Sequence, residues 1–450
     1  MNIYFIGIGG ISMSALAIIC HKRGHIVSGS DIHQFDSLEK MKCMGIEFNL
    51  GHTRRDFSGT DLVVYNAAIS ADNPELTAAK TQNVPCVKRA QLLGSIMAEY
   101  PFPIAVSGMH GKTTATAMIT QILYAYDPTV HLGGRFDLMG GNYRIGKSVY
   151  FVTEACEYKR NFLYLKPYIS VILNVDEDHM DYFKDIEDIQ EAFSEFASGT
   201  KRNGVIIVNG EDSRAVASAA LTMRRYATFG IGDNYDYCAK NLKQEEQGRF
   251  SFDFYKLDRK ICRISLKVAG RHNVYNALAA AAAANVFNIS AKKISNSLSA
   301  FSGVTRRYQQ LGFLNGAKII ADYAHHPKEI EASIITAKAQ STSVIAVFQP
   351  HTYSRTKSLW QEFKKSLSYA DEIILLPIYA AREKNDPDIT SEKLSEELIQ
   401  EGKNTLYFDD FCSCADYLKK RLTEQDLLLI TGAGDIIELK DHLISKAEKI

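Results

Sequence analysis

The stretch Ser107-Gly108-Met109-His110-Gly111-Lys112-Thr113-Thr114 constrains this chain more than any other. The apolar run before it predicts a strand over 103–106. The pattern after it predicts a helix over 113–126 with Met118, Ile119, Ile122 and Leu123 on one face. The two glycines therefore fall on a strand-to-helix turn, where backbone N–H groups and the positive end of the helix dipole face outward together. That is a phosphate cradle. Gly108, Met109, His110, Gly111, Lys112, Thr113 and Thr114 are candidates for holding ATP, with Lys112 reaching the terminal phosphates and the Thr113 hydroxyl meeting Mg2+. The spacing is G-x-x-G-K-T-T, because Val106 or Ala105 stands where the longer motif has its first glycine.

Two neighbouring strands end on acids. A strand over 149–153 leads into Glu154-Ala155-Cys156-Glu157, and one over 169–173 leads into Asn174-Val175-Asp176-Glu177-Asp178-His179. Carboxylates at strand tips beside a phosphate loop suit a hard cation, which takes oxygen ligands. Imidazole suits magnesium poorly, so His179 fits an outer or phosphate-facing place as well as the metal itself. Further on, His272, Asn273 and Asn276 head an alanine-rich helix (277–284) and offer amides matched to a purine edge.

The N-terminus predicts a strand (3–8), the turn Gly7-Ile8-Gly9-Gly10-Ile11-Ser12, a helix (12–23) and a second strand ending near Asp31. This is a nucleotide-binding βαβ start in which Ser12 replaces the third glycine of the dinucleotide fingerprint. Gly7, Gly9, Gly10, Ser12 and Asp31 are candidate ligands there. Ala68 and Ser70 join them from the loop 66–70, at the end of another strand. Pro101 and Pro103 mark a boundary. An antiparallel hairpin is predicted over 250–268. From about residue 305 strands and helices alternate, including helices over 329–339, 357–369 and 391–400, as in a parallel sheet. The fold class is α/β with three domains: Rossmann-like (1–100), a P-loop ATPase-like mixed sheet (101–304) and a C-terminal Rossmann-like α/β unit (305–450).

At 450 residues the chain exceeds one core. Lys plus Arg and Asp plus Glu are both 52, which points to neither nucleic acid nor an acidic membrane as partner. The N-terminal apolar run lacks a basic flank and reads as a strand rather than a signal peptide, and no apolar stretch approaches a membrane span. Of the eight cysteines only Cys412 and Cys414 are close, a pattern that fits reduced thiols in a cytoplasm.

The ordered set GIGGISMSALA, SGMHGKTT, LNVDEDHMDYF, GRHNVYNALAA, GVTRRYQ, DYAHHPKEI, FQPHTYSRT and GAGDI resembles the Mur ligases of peptidoglycan synthesis over nearly the whole chain. GIGG, DYAHHP and QPHTYSRT look like the alanine-adding branch. The resemblance implies a UDP-sugar site in the first domain, ATP and Mg2+ in the second, and an amino-acid site between the second and third. It implies Thr113, Glu154 and His179 at the metal, although Glu157 competes with Glu154 because this chain is less acidic after the strand than many relatives. His272, Asn273 and Asn276 would lie near adenine. Tyr323, His325 and Arg355 would face L-alanine, with Arg307 near the reacting groups. No lysine stands between Glu191 and Lys201 to carry the carbamate of some sister ligases.

The implied reaction is ATP-driven amide formation between L-alanine and the lactyl carboxylate of UDP-N-acetylmuramate through an acyl phosphate, by a monomer or homodimer. Lys112, His325, Arg307 and Arg355 are the candidate catalytic residues, with His325 or His326 placed to accept the amine proton. A ligase that adds a whole peptide to the same sugar is the near alternative. A nicotinamide-dependent dehydrogenase is the alternative from another class, and the missing third glycine counts against it.

Overall fold

The computed structural model describes residues 1–33, 37–381 and 383–444. It falls into two compact units. One comprises Met1–Val175, Gln190–Thr228 and Ala282–Phe287; the other comprises Asp176–Ile189, Phe229–Ala281 and Asn288–Ile450. Among the described residues no helix is long and apolar enough to cross a membrane.

The first unit holds two sheets. Strands β1 (Asn2–Ile6), β2 (Ile26–Asp31), β3 (Glu47–Leu50), β4 (Leu62–Tyr65) and β5 (Cys86–Lys88) form a parallel sheet in the order β3-β2-β1-β4-β5. The order reverses beside β1, so the loops after β1 and β4 flank the point where open α/β sheets take ligands. The first strand ends at Ile6, earlier than the apolar run suggested, because Gly7 turns the chain at φ +77°. The second sheet of this unit uses β6 (Phe102–Ser107), β7 (Thr129–Phe136), β8 (Gly141–Arg144), β9 (Tyr150–Glu154), β10 (Ile169–Ile172) and β11 (Val205–Asn209), ordered β11-β10-β6-β9-β7-β8. The phosphate-loop strand β6 lies between β9 and β10, parallel to both. The helix after it spans Lys112–Leu123 and is capped by a short 3-10 turn, Tyr124–Tyr126. Ala115, Thr116, Ala117 and Thr120 are buried as well as the four predicted apolar residues, so it is enclosed on most sides rather than on one stripe.

In the second unit, Phe229–Ile231 of β12 (Tyr226–Ile231) pairs with β13 (Tyr237–Gln244), followed by the antiparallel β14 (Arg249–Lys256) and β15 (Arg259–Ala269). The last two are the expected hairpin. The third sheet has the order β16-β17-β21-β18-β19-β20, from β16 (Gln309–Leu314), β17 (Ala317–Asp322), β18 (Ser343–Phe348), β19 (Glu372–Leu375), β20 (Thr405–Tyr407) and β21 (Asp426–Thr431). It is parallel except for β16, an antiparallel edge strand the alternation did not reveal. Alternate residues of β17, β18 and β21 enter two separate apolar clusters, one on each face. Burial on both faces explains their uninterrupted apolar runs. The helix expected over 357–369 is two, Tyr353–Ser358 and Trp360–Leu367, broken at Leu359. The second is held by Trp360 Nε1 and Lys364 Nζ on the Glu397 carboxylate (3.0 and 2.8 Å).

One glycine shows how closely the first sheet packs against its ligand turn. A Cβ at Gly29 would lie 2.5 Å from the Phe5 carbonyl oxygen and 2.8 Å from Ile8 Cδ1. Gly29→Ala is expected to destabilise the protein by about 1–3 kcal/mol, the usual cost of overpacking. Urea unfolding measures it, and an unchanged midpoint would mean that the strand relaxes freely.

Candidate functional site

The phosphate loop is built from two left-handed glycines. Gly108 has φ +139°, and a Cβ there would stand 2.9 Å from Leu173 Cβ; Gly111, at φ +83°, immediately precedes the helix. Both conformations favour glycine. Asn174, just past β10, clamps the loop from the side: its Oδ1 accepts from the His110 amide (2.9 Å) and its Nδ2 donates to the His110 carbonyl (3.1 Å).

Lys112 folds back over this loop. Its Nζ donates to the Gly108 and Met109 carbonyls (2.6 and 3.0 Å) and pairs with the buried Glu157 carboxylate (3.0 Å to Oε2). Burial alone would lower the lysine pKa, but the charge of Glu157, with smaller contributions from Cys156 and Glu154, raises it above the ordinary value. The ammonium is therefore charged. Burial with the charge of Glu157 pushes the Cys156 thiol up to about 11. Glu154 does different work: its Oε2 accepts from the Thr113 hydroxyl (2.9 Å) and its Oε1 from the Gly133 amide (2.5 Å). The two carboxylates that the sequence could not rank thus separate, one on the lysine and one on the threonine.

At the N-terminal turn the Gly9 amide donates to Asp31 Oδ2 (2.8 Å), and the Gly10 amide lies 3.4 Å from the Gly7 carbonyl. Ser12 Oγ accepts from Arg89 Nη1 (3.0 Å) and meets His131 Nε2 (2.8 Å). In the loop after β4, Asn66 Oδ1 accepts from the Ala68 amide (2.7 Å) and the Ser70 carbonyl from the Asn73 amide (3.2 Å). These candidates all belong to the first unit.

The second unit holds the others, and of these Tyr323, His325 and Arg355 follow the C-terminal ends of β17 and β18. The Arg306 and Arg307 guanidiniums both lie 4.9 Å from the Tyr323 ring centre. Arg306 is committed to the Gly432 and Gly434 carbonyls (3.1 and 3.0 Å). Arg307 has no side-chain hydrogen bond or ion pair among the described residues. His325 donates from Nδ1 to the Tyr323 carbonyl (2.9 Å) and lies edge-on to Tyr323 and His351. Burial, opposed by Glu329, lowers its pKa to about 4, so it is neutral at pH 7. His326 has another job: its Nδ1 accepts from the Lys328 amide (3.4 Å) at the start of the helix Pro327–Lys338, and its Nε2 donates to the Glu177 carbonyl (3.0 Å). His325 Nδ1 also lies 3.4 Å from Glu329 Oε2, so of the two histidines only His325 keeps a ring nitrogen, Nε2, without a hydrogen bond among the described residues.

Arg355 gives its Nε and Nη2 to Asp178 Oδ1 (3.2 and 3.0 Å), and its Nη1 faces His351 Nδ1 (3.3 Å). Burial would raise the Asp178 pKa, but the neighbouring His179 and the charge of Arg355 carry it well below the usual range. One edge of the arginine fork is thus already used. His179 adjoins Asp178 on left-handed backbone (φ +57°). His272 is exposed at the start of the helix His272–Val286. Asn273 Nδ2 donates to the Ala269 carbonyl (2.7 Å), and Asn276 Nδ2 donates to Asn273 Oδ1 (3.0 Å). That leaves Asn276 Oδ1 as the amide oxygen of the pair still open.

Sequence profiles match almost end to end: the Mur ligase family catalytic domain over residues 2–101, the Mur ligase middle domain over 106–284, and the Mur ligase glutamate ligase domain over 306–434. The chain belongs to the Mur ligase family. Relatives of this Mur ligase include the UDP-N-acetylmuramate–L-alanine ligases of Clostridium acetobutylicum (45% identical, covering 99% of this chain and 98% of the relative) and Caldanaerobacter subterraneus (44%, 100% and 98%). The solved UDP-N-acetylmuramate-alanine ligase of Thermotoga maritima superposes with a TM-score of 0.83 at 28% identity, covering 98% of each chain. A murein peptide ligase from Psychrobacter arcticus shares the fold, with a TM-score of 0.74 at 22% identity and 98% coverage of each.

The Lys112–Glu157 contact in this Mur ligase has a measurable signature. Glu157→Gln leaves a mostly buried ammonium without its counter-charge and should cost about 3 kcal/mol or more. Lys112→Met combined with Glu157→Gln should recover much of that loss, because neither buried charge then remains. Thermal unfolding of the two single variants and the double variant checks this; additive losses would deny the coupling.

Proposed function

We propose that this Mur ligase joins L-alanine to the lactyl carboxylate of UDP-N-acetylmuramate at the expense of ATP, in peptidoglycan precursor synthesis. The observation that carries the reading is the phosphate loop with a charged lysine and a threonine–glutamate pair, in a chain whose full-length relatives bear that activity. The work is divided among three segments: 1–100 for the sugar nucleotide, 101–304 for ATP and 305–450 for the amino acid. The candidates Gly7, Gly9, Gly10, Ser12, Asp31, Ala68 and Ser70 serve the first, Gly108–Thr114 with His272, Asn273 and Asn276 the second, and Tyr323, His325 and Arg355 the third. The site is assigned to the cytoplasm.

The acceptor carboxylate attacks the γ-phosphate of ATP, ADP leaves, and the resulting acyl phosphate is opened by the alanine amine with loss of phosphate. There is little covalent work for protein groups in the first step; charge neutralisation and alignment supply the rate. Lys112 brings the charge. Thr113 and Glu154 are oxygen donors at the lip of the loop and fit Mg2+, which would neutralise the phosphates when bound. His179 remains the third metal candidate, on its place in the D-E-D-H-M-D signature alone. Arg307, steadied on Tyr323 and without an ion pair of its own among the described residues, is suited to the charge that builds on the reacting groups. Arg355, anchored by Asp178, offers its outer Nη1–Nη2 end to the amino-acid carboxylate. With a pKa near 4, His325 is a weak base at pH 7. Its Nε2 lone pair suits it to orient the amine by accepting a hydrogen bond, the proton leaving once the C–N bond makes that nitrogen acidic.

The test is ADP release with ATP, UDP-N-acetylmuramate and L-alanine, each omitted in turn. Steady release is expected only with all three. Release with a tripeptide in place of alanine at a higher kcat/KM would favour the peptide-adding activity instead.

A further inference from the structure

Arg89 opens the helix Arg89–Ala98 in the same unit as the N-terminal glycine turn and the phosphate loop. Its guanidinium carries five N–H donors. Among the described residues it has one hydrogen bond, from Nη1 to Ser12 Oγ (3.0 Å), and no ion-pair partner. Burial lowers its pKa even though Cys156 and Glu154 oppose the shift.

Among the described residues no carboxylate pairs with Arg89 in direct contact; Glu154 acts on it only from farther off. The Thr153 hydroxyl donates its hydrogen to the Glu154 carbonyl (3.1 Å), so His131 Nδ1 carries a hydrogen and donates it to Thr153 Oγ1 (3.2 Å). His131 Nε2 of the neutral ring is then the acceptor of the Ser12 hydroxyl (2.8 Å), whose oxygen in turn accepts from the arginine. His131 is buried, which with the Arg89 charge holds its pKa at about 3. The chain Arg89–Ser12–His131–Thr153 is thus neutral beyond its first member. It fixes the guanidinium in place without giving it an ion-pair partner. A partly buried cation without an ion-pair partner is costly, and proteins keep one where a ligand provides the anion.

Resting on the function proposed above, we propose that Arg89 binds the lactyl carboxylate of the sugar-nucleotide acceptor, held in position by Ser12 and His131. A planar fork matches a carboxylate, and a lysine would not reproduce the match. The diphosphate of the same acceptor is the other anion within the ligand. The carboxylate is favoured because the chain from Arg89 through Ser12, His131 and Thr153 ends on the carbonyl of Glu154, the residue hydrogen-bonded to Thr113 at the phosphate loop, and so leads toward the reacting end.

The experiment is calorimetric titration of wild type, Arg89→Lys and Arg89→Gln with UDP-N-acetylmuramate and with UDP-N-acetylglucosamine, which lacks only the lactyl group. Both variants are expected to bind the muramate nucleotide roughly tenfold or more weakly, the loss of a charge-assisted bidentate contact, and the glucosamine nucleotide as wild type does. The unliganded Arg89→Gln protein should melt at the wild-type temperature or above it. Equal losses for both nucleotides would assign Arg89 to the diphosphate and overturn the proposal. Unchanged binding of both, or a lower melting temperature in Arg89→Gln with normal affinities in Arg89→Lys, would make Arg89 structural and overturn it too. Wild-type protein that binds no muramate nucleotide would instead overturn the reading of function beneath it.

Discussion

The ammonium of Lys112 is the interaction on which the rest of the first unit turns. It is mostly buried, and it is held by two carbonyls of its own loop and by Glu157. A triphosphate entering the loop competes for the same ammonium. The loop carbonyls can be given up, because each is a neutral acceptor with modest net worth. Glu157 keeps the lysine charged throughout and is therefore unavailable to a cation. In the proposed function the metal is therefore given to Glu154, whose oxygens already rest on the Thr113 hydroxyl and the Gly133 amide. One ion pair thus divides two acids three residues apart into different roles.

The same economy of placement recurs at the strand ends. Each sheet with a proposed ligand carries its candidates beyond the C-terminal ends of parallel strands: Gly7–Ser12 after β1, Gly108–Thr114 after β6, and Tyr323 and His325 after β17. The backbone makes those ends useful, since the following helix begins there with free N–H groups. Side chains then tune each end. Arg306 ties the loop after β21 to Tyr323 and leaves Arg307 available, while His326 caps a helix and leaves His325 available. In each pair of adjacent like residues, one is structural and its neighbour is open to a ligand.

Much of this could be read from the sequence where the information was local. Strand Ser343–Phe348 and helix Ser391–Gln400 fall where the apolar pattern places them, because both strand faces are buried and Thr390 caps the helix. Thr113 and Glu154 were legible for the same reason, sitting at a motif and at a strand tip. Strands β3, β5, β7, β8, β12, β13 and β16 escaped notice. TVHLGGRF, GNYR and YCAKNLKQ carry too many polar or glycine residues to show a strand period, and their pairing partners make them strands. The contacts that decide the site are long-range as well: Arg355 reaches Asp178 across 177 residues, and Arg89 reaches Ser12 across 77. Nothing local to either arginine announces its partner. Arg89 in particular follows the short strand Cys86–Lys88, a stretch to which the sequence alone assigns no element and no role.

The central claim is that a carboxylate oxygen of the acceptor is phosphorylated at this loop. It is tested most directly by preparing UDP-N-acetylmuramate with 18O in both lactyl carboxylate oxygens and measuring the released phosphate by mass spectrometry. The account expects one labelled oxygen in each phosphate, carried over when the amine opens the acyl phosphate. Unlabelled phosphate formed at the same rate as the amide would contradict it.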